Sequence, residues 1–125
     1  MIYNQTIKDF EPDSTAYLVY RERLNEYTIK EVTVESVGRK YVKLKYNPIK
    51  YSQENTKTGA FTFSEYYNDE LLFCNEVLAQ ICLERIKAIS KIRDLSYNYN
   101  YDLLPLEDLA CLISIYKSGL RNREW

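Results

Sequence analysis

The residues of this sequence that could do chemistry are few and scattered. It contains no histidine, which excludes Ser-His and Cys-His catalytic pairs and every histidine-ligated metal site. The acids Asp9, Glu11 and Asp13 have the one-three-five spacing of a calcium loop, but the glycine and the distal glutamate of such a loop are missing. We therefore predict no catalytic residue, no bound metal and no cofactor, and we expect that the protein is not an enzyme.

Three cysteines, Cys74, Cys82 and Cys111, form an odd set without C-x-x-C spacing. Neither a disulfide framework nor a thioredoxin-like site is expected from such a set, and three thiols without a fourth ligand do not make a closed zinc site. Because Cys82 and Cys111 fall on apolar faces of predicted helices, we interpret them as reduced, buried structural thiols.

The strongest charge asymmetry lies between residues 36 and 53, where five basic residues and no acid occur, with tyrosines between them. Small barrels use such mixtures to bind phosphates and bases. A nucleic-acid-binding surface here would consist of Arg39, Lys40, Tyr41, Lys43, Lys45 and Tyr51. The competing interpretation is an edge strand that lysines protect against aggregation. The formal net charge of −1 favours the edge strand, because no global field attracts nucleic acid.

Tyrosine is unusually frequent, with 13 residues in a chain of 125. Tyr and Asn supply rigid contacts and adaptable hydrogen bonds at binding surfaces, and they dominate residues 97–101 between two predicted helices. The single tryptophan lies close to two arginines, a combination typical of binding hot spots. The candidate protein-contact residues are therefore Tyr97, Tyr99, Tyr101 and Trp125. The alternative role of tyrosine is to cover a small core with its ring while its hydroxyl stays in water.

The spacing of apolar residues changes along the chain, and this change indicates the strands and helices that must position the candidate residues. Residues 15–63 have the pattern of short strands with turns, and residues from about 75 onward that of two helices. Strands are predicted at 16–21, 27–36, 41–46, 61–63 and 70–74, with Val42, Leu44 and Tyr46 on the core face of the third. The parity of apolar positions switches between Ile29 and Val32, which predicts a β-bulge at Lys30 or Glu31.

Asn75 has the residue type and position of a helix N-cap. Apolar stripes at helical spacing predict the buried faces of both helices, namely Leu78, Ile81, Cys82, Ile86, Ile89 and Ile92 in the first and Leu106, Leu109, Leu112, Ile113 and Tyr116 in the second. Pro105 is expected near the start of the second helix and Gly119 at its end. The predicted fold class is α+β in a single domain, residues 1–125. A curled antiparallel β-sheet or barrel of five or six short strands (about 14–74) precedes a two-helix hairpin (about 75–119) and a tail (120–125).

The segment Thr33–Val42, TVESVGRKYV, followed by the helix pair, resembles a pattern in small proteins of phages and mobile elements of low-GC Gram-positive bacteria. Those proteins join a small barrel to a helical hairpin. The resemblance carries no site residue with it. It implies a setting in which small accessory proteins often bind and block a host component, as anti-CRISPR proteins do.

Two functional hypotheses follow. The first is a protein that contacts a host or defence protein, as an inhibitor of anti-CRISPR type, and the alternative is a nucleic-acid-binding small-barrel module. No eighteen apolar residues occur in succession, and the first ten residues lack a basic segment followed by an apolar one. We therefore expect the protein in the cytoplasm of a bacterial host, without a membrane partner.

Overall fold

A computed structural model describes residues 2–24, 26–54, 56–63, 70–98 and 100–121, with the backbone alone at 98 and 119–121. The chain forms two compact units, residues 1–89 and 90–125. The predicted α+β class is confirmed, because a curled antiparallel sheet is followed by two helices. In the part of the chain that the model describes, no helix is both long and apolar enough to span a bilayer.

The strands all lie in the first unit and are mostly short. They are β1 (Thr15–Arg23), β2 (Glu26–Val37), β3 (Tyr41–Leu44), β4 (Lys50–Ser52) and β5 (Glu70–Phe73). Helix α1 spans Glu76–Asn98 and helix α2 spans Leu106–Arg121, while single 3-10 turns form at Ile7–Asp9 and Tyr101–Leu103. The strand predicted at 70–74 is confirmed as β5. The predicted third strand extended two residues too far, because Lys45 and Tyr46 form a turn.

The strand order is β4-β3-β2-β1-β5, with every neighbouring pair antiparallel. Two isolated bridges join the outer strands of this sheet. Ser52 of β4 pairs with Thr62, and Phe61 pairs with Leu72 of β5. Residues 61 and 62 therefore connect both margins of the curled sheet and complete a small barrel.

Apolar side chains pack on both faces of the part of the sheet formed by β1 and β5. The barrel interior contains Phe10, Ala16, Leu18, Val34, Val42, Leu44, Tyr51, Phe61 and Leu72. The opposite face, represented by Val19 and Phe73, packs with Ala79 and Cys82 of α1 and with Tyr3. Burial on two sides gives β1 apolar residues at adjacent positions, such as Leu18 and Val19, instead of the strict alternation of a half-exposed strand.

This arrangement corrects the bulge predicted from the parity switch in β2. Lys30 pairs regularly with Leu18, and Glu31 with Tyr17. The parity switches because Ile29 packs on the α1 side of the sheet while Val32 packs against the barrel interior. The irregularities in register lie instead between Arg21 and Arg23 and between Val34 and Ser36.

The sequence predictions for the two helices are confirmed in part. Asn75 is confirmed as the N-cap of α1, because its Oδ1 accepts a hydrogen bond from the Leu78 amide at 2.9 Å. Ala79, outside the stripe predicted to be buried, is fully buried. Within the stripe, Cys82 is fully buried and Leu78 and Ile86 pack beside it, while three members are exposed. The exposed members are Ile81, Ile89 and Ile92.

In α2, the exposed members of the predicted stripe are Leu106, Ile113 and Tyr116. The helix also passes through Gly119, where we predicted its end, because one glycine costs a helix only about 1 kcal/mol.

A buried glutamine connects three segments of the first unit. Gln5 is almost inaccessible, and its Nε2 donates to the carbonyl oxygens of Gly59 at 3.0 Å and Leu72 at 3.2 Å. Its Oε1 accepts from the Cys74 amide at 2.9 Å. The Gln5 carbonyl oxygen accepts in turn from Nε2 of Gln53 at 2.7 Å. The N-terminal segment is thereby fixed to the 53–60 loop and to the junction between β5 and α1.

The three cysteines are free. Cys82 is fully buried as predicted, and burial raises the pKa of its thiol, while a hydrogen bond with Tyr3 lowers it. Burial also raises the pKa of Tyr3 to about 12. Cys111, predicted to be buried, is exposed on α2 instead. Its helix carries apolar residues on more than one side, so the apolar pattern did not identify the buried face.

Candidate functional site

The stretch with five basic residues and no acid includes strand β3. Because β3 lies between β2 and β4, its backbone is paired on both sides, and the interpretation of its lysines as guards of an exposed edge was wrong. Val42 and Leu44 point into the barrel and are buried. Their neighbours Tyr41 and Lys43 therefore lie on the outer face.

Two lysines stand directly opposite each other on this outer face. Lys43 of β3 and Lys50 of β4 are partners in the antiparallel ladder, and like charges in this position destabilise a sheet. Nζ of Lys50 lies 5.9 Å from the centre of the Tyr41 ring, within the range of a cation–π contact. Tyr41 itself remains 43% exposed. We define the basic face as Arg39, Lys40, Tyr41, Lys43, Lys45 and Lys50.

Three lysines of the basic face form ion pairs with acids from other parts of the chain. The Nζ–carboxylate distances are 2.8 Å for Lys40–Glu54, 3.2 Å for Lys43–Glu35 and 2.7 Å for Lys45–Asp13. Hydrogen bonding to Glu54, together with its negative charge, raises the pKa of Lys40, and Asp13 raises the pKa of Lys45 in the same way. All six side chains are substantially exposed, so these pairs are weak and exchangeable.

The turn after β3 presents a second tyrosine to solvent. Tyr46, predicted to lie on the core face, is fully exposed, and its backbone is in the left-handed region with φ of 62°. The amide of Lys45 donates to the Thr33 carbonyl oxygen at 3.0 Å. Asp13, the ion-pair partner of Lys45, is also left-handed, with φ of 64°, and its amide donates to the Val34 carbonyl oxygen at 2.8 Å. Both loops are therefore anchored to consecutive residues of β2.

Tyr51, a member of the predicted nucleic-acid surface, does not lie on it. Its side chain is fully buried in the barrel, because it pairs with Val42 and points inward with it. Its hydroxyl donates to Glu70 and accepts from Asn47, both at 3.5 Å. Burial raises its pKa to about 12. Lys50 takes the outward position beside it, because the turn and loop at residues 45–49 reverse the in–out parity of β3.

The candidate protein-contact residues are only partly described. Tyr97 is 90% exposed and Tyr101 is 42% exposed, with the Tyr101 hydroxyl donating to the Ser96 carbonyl oxygen at 3.5 Å. Tyr99 and Trp125 lie outside the described residues. The two described tyrosines have large exposed surfaces that a partner could cover.

A shallow groove of ≈ 600 Å³ follows the exposed side of α1 within the first unit. Its lining includes Val77, Ile81 and Ala88, with Glu84 and Arg85 beside them. On α2, Leu106, Ile113, Ile115 and Tyr116 are exposed. Both helices therefore carry apolar side chains in contact with solvent.

The acids with calcium-loop spacing have other partners. Asp9 accepts from the Thr6 amide at 2.7 Å and so caps the first 3-10 turn, while Asp13 pairs with Lys45. Among the described residues, no group of three or more cysteine, aspartate and glutamate side chains could hold a metal ion. These acids contribute to local structure and to the charge balance of the basic face.

Comparison with known proteins gives one match. Residues 8–119 match the family model described as phage ProQ C-terminal-like domain. The match includes the whole basic face, the barrel strands and most of both helices. No curated protein and no solved structure matches the chain significantly.

Proposed function

Because the chain belongs to the phage ProQ C-terminal-like domain family, we propose that it is a phage-type, non-enzymatic module that binds nucleic acid through its basic face. The family match agrees with the phage resemblance of the Thr33–Val42 segment. ProQ-like domains are often related to nucleic acids, and the basic face supplies the chemistry that such a ligand requires.

The observation that supports this proposal best is the Lys43–Lys50 pair. Two ammonium groups on directly opposed positions of a ladder repel each other, and Glu35, 3.2 Å from Nζ of Lys43, offsets part of that repulsion in the free protein. A phosphate bound between them would replace that repulsion with two attractive contacts. The ring of Tyr41, which Lys50 overlies at 5.9 Å, would place an aromatic surface beside the same phosphate. Cation and ring together match the phosphate and base of a nucleotide.

The ion pairs of the basic face are compatible with this function. Glu35, Glu54 and Asp13 hold three lysines on the outer surface without burying them. Since exposed ion pairs contribute little stability, a phosphate can displace a carboxylate at small cost. Arg39 and Lys40 extend the cationic surface at the start of β3. Contacts of this kind bind the backbone of nucleic acid with little dependence on base sequence.

Replacing both opposed lysines, Lys43→Gln with Lys50→Gln, should weaken binding strongly. If each lysine contacts one phosphate, the slope of log affinity against log salt falls by roughly 1.5, and affinity at low salt falls about tenfold or more. Fluorescence anisotropy with labelled RNA and DNA across a salt series measures both quantities.

The matched control removes the same charge elsewhere, with Lys8→Gln and Lys87→Gln. We expect the control to change affinity by less than about twofold, since neither lysine lies on the basic face. An equal loss in both variants would refute the assignment of binding to this face. Failure of the natural sequence to bind any RNA or DNA at low salt would refute the function itself.

Contact with a host or defence protein is the second candidate function. It is supported by the exposed apolar side chains of α2, Leu106, Ile113, Ile115 and Tyr116, and by the exposed ring of Tyr97. Several apolar side chains exposed to solvent on one helix are typical of protein-contact sites. Inhibition of a defence component, of the anti-CRISPR kind, would be one use of such contact, in keeping with the phage setting.

A variant with Ile113→Ser and Tyr116→Ser should lose a partner that the natural sequence retains from a bacterial host lysate. Both side chains are exposed, so their replacement removes contact area without opening a cavity in the described core. The control, Ser114→Ala with Lys117→Gln, alters neighbouring positions and should keep the partner. Recovery of nothing above background by the natural sequence would count against protein contact.

A further inference from the structure

We propose that the basic face takes a single-stranded nucleic acid, with unpaired bases stacking on Tyr41 and Tyr46. This inference rests on the proposed function and names the class of ligand. It depends on the two exposed rings at the ends of β3 and on the lysines between them. A duplex, whose bases are stacked on each other, would leave both rings unused.

Tyr41 offers the first ring, at the beginning of β3. It lies on the outer face opposite Ser52 and is 43% exposed. Lys50 approaches the ring at 5.9 Å, so a base on this ring would carry its phosphate close to a cation. Arg39 and Lys40 precede the ring, and Lys40 is held by Glu54 at 2.8 Å.

Tyr46 offers the second ring, just beyond the end of β3. The left-handed backbone at φ of 62° is rare for a bulky side chain, and the ring is fully exposed. Packing therefore does not account for an aromatic residue here, where glycine or asparagine would form the turn more easily. The turn is fixed at its preceding residue, since Lys45 donates its amide to Thr33 and pairs through Nζ with Asp13. Fixing the turn limits the ordering that a stacking contact would otherwise require.

The two rings lie on either side of a short extended segment that carries cations. The extended residues 41–44 span roughly 10 Å between their Cα atoms, and the turn at Lys45 and Tyr46 follows them. Lys43 and Lys45 lie between the two rings along the chain, each within 3.2 Å of an exchangeable carboxylate. The order is aromatic, cation, cation, aromatic. Proteins that follow a single strand alternate stacking surfaces with cations in this way.

Labelled single strands, a U-rich RNA and a T-rich DNA, are compared with duplexes of the same length by anisotropy. We expect the single strands to bind at least about tenfold more tightly than the duplexes. Tyr41→Leu and Tyr46→Leu should each lower single-strand affinity by about fivefold or more, since stacking of one base is worth that much. The salt slope should be unchanged, because no phosphate contact is removed. Tyr41→Phe and Tyr46→Phe keep the ring and should keep the affinity.

Tyr97→Leu is the matched control, as it removes an exposed ring on α1 outside the basic face. Circular dichroism of each variant verifies that the barrel is folded. Equal affinity for single strands and duplexes, or an unchanged affinity in both Tyr→Leu variants, would overturn the inference. The proposed function would stand in that case if the Lys43 and Lys50 replacements still abolished binding. Absence of binding by the natural sequence would instead overturn the proposed function.

Discussion

Replacing Gln5 by alanine is expected to lower the free energy of unfolding by about 2–4 kcal/mol. The side chain is almost inaccessible and makes three hydrogen bonds to backbone groups. The carbonyl oxygens of Gly59 and Leu72 have second donors, Gln53 and the Phe61 amide. The part-buried Cys74 amide would lose its acceptor, and the missing side chain would leave a cavity. Urea denaturation followed by circular dichroism measures the loss.

Two further variants separate hydrogen bonding from a general effect of the substitution. Gln80→Ala removes an exposed glutamine from α1 and should change stability by less than about 0.5 kcal/mol. Gln5→Glu keeps the size of the side chain but faces a carboxylate toward two carbonyl oxygens. It should be at least as destabilising as alanine at neutral pH. If Gln5→Ala unfolded at the same urea concentration as the natural sequence, the connecting role of Gln5 would be wrong.

The second prediction with a large expected effect is a gain in affinity for nucleic acid. Neutralising the three carboxylates of the basic face, with Asp13→Asn, Glu35→Gln and Glu54→Gln, frees three lysines from ion pairs of 2.7–3.2 Å. Each freed lysine can contact a phosphate without displacing a carboxylate. We expect affinity for nucleic acid to rise about tenfold or more at low salt, and the salt slope to steepen. Anisotropy titrations over a range of salt concentrations test both expectations.

A matched triple variant removes the same negative charge from other positions, with Glu11→Gln, Glu22→Gln and Glu107→Gln. The net charge then changes by the same amount in both triple variants, while the ion pairs of the basic face stay intact in the control. A smaller gain is expected from this control, because long-range attraction is screened beyond about 10 Å at moderate salt. Equal gains in the two triple variants would mean that overall charge, and not the individual pairs, governs binding.

The fold class could be predicted because the period of the apolar residues changes near Asn75. Short alternating runs before it and helical spacing after it suffice for an α+β class, and the Asn75 cap fixes the start of α1. The buried face of α1 was predicted only in part, since the exposed Ile81 and Ile92 are as apolar as the buried Cys82. The spacing of apolar residues shows which faces of a helix are apolar. Which of these faces is buried depends on how the helix packs on the sheet.

The basic face was only partly predictable for a related reason. Its cations are continuous in sequence, from Arg39 to Lys50, so their clustering was visible. The acids that pair with them come from positions 13, 35 and 54, and only the β2–β3 pairing and the loops bring them close. Tyr46 and Tyr51 were misplaced because alternation was extended through a turn that begins at Lys45.

The bridges at residues 61 and 62 also restrict how a partner can engage this barrel. They occupy the main-chain groups of Ser52 and Leu72 at the two margins of the sheet. A peptide that added itself as an extra strand at those points would first have to displace this segment. At these two points, a partner of the barrel would therefore have to contact side chains and not the main chain. Single substitutions on the outer surface can then change ligand preference without altering the scaffold.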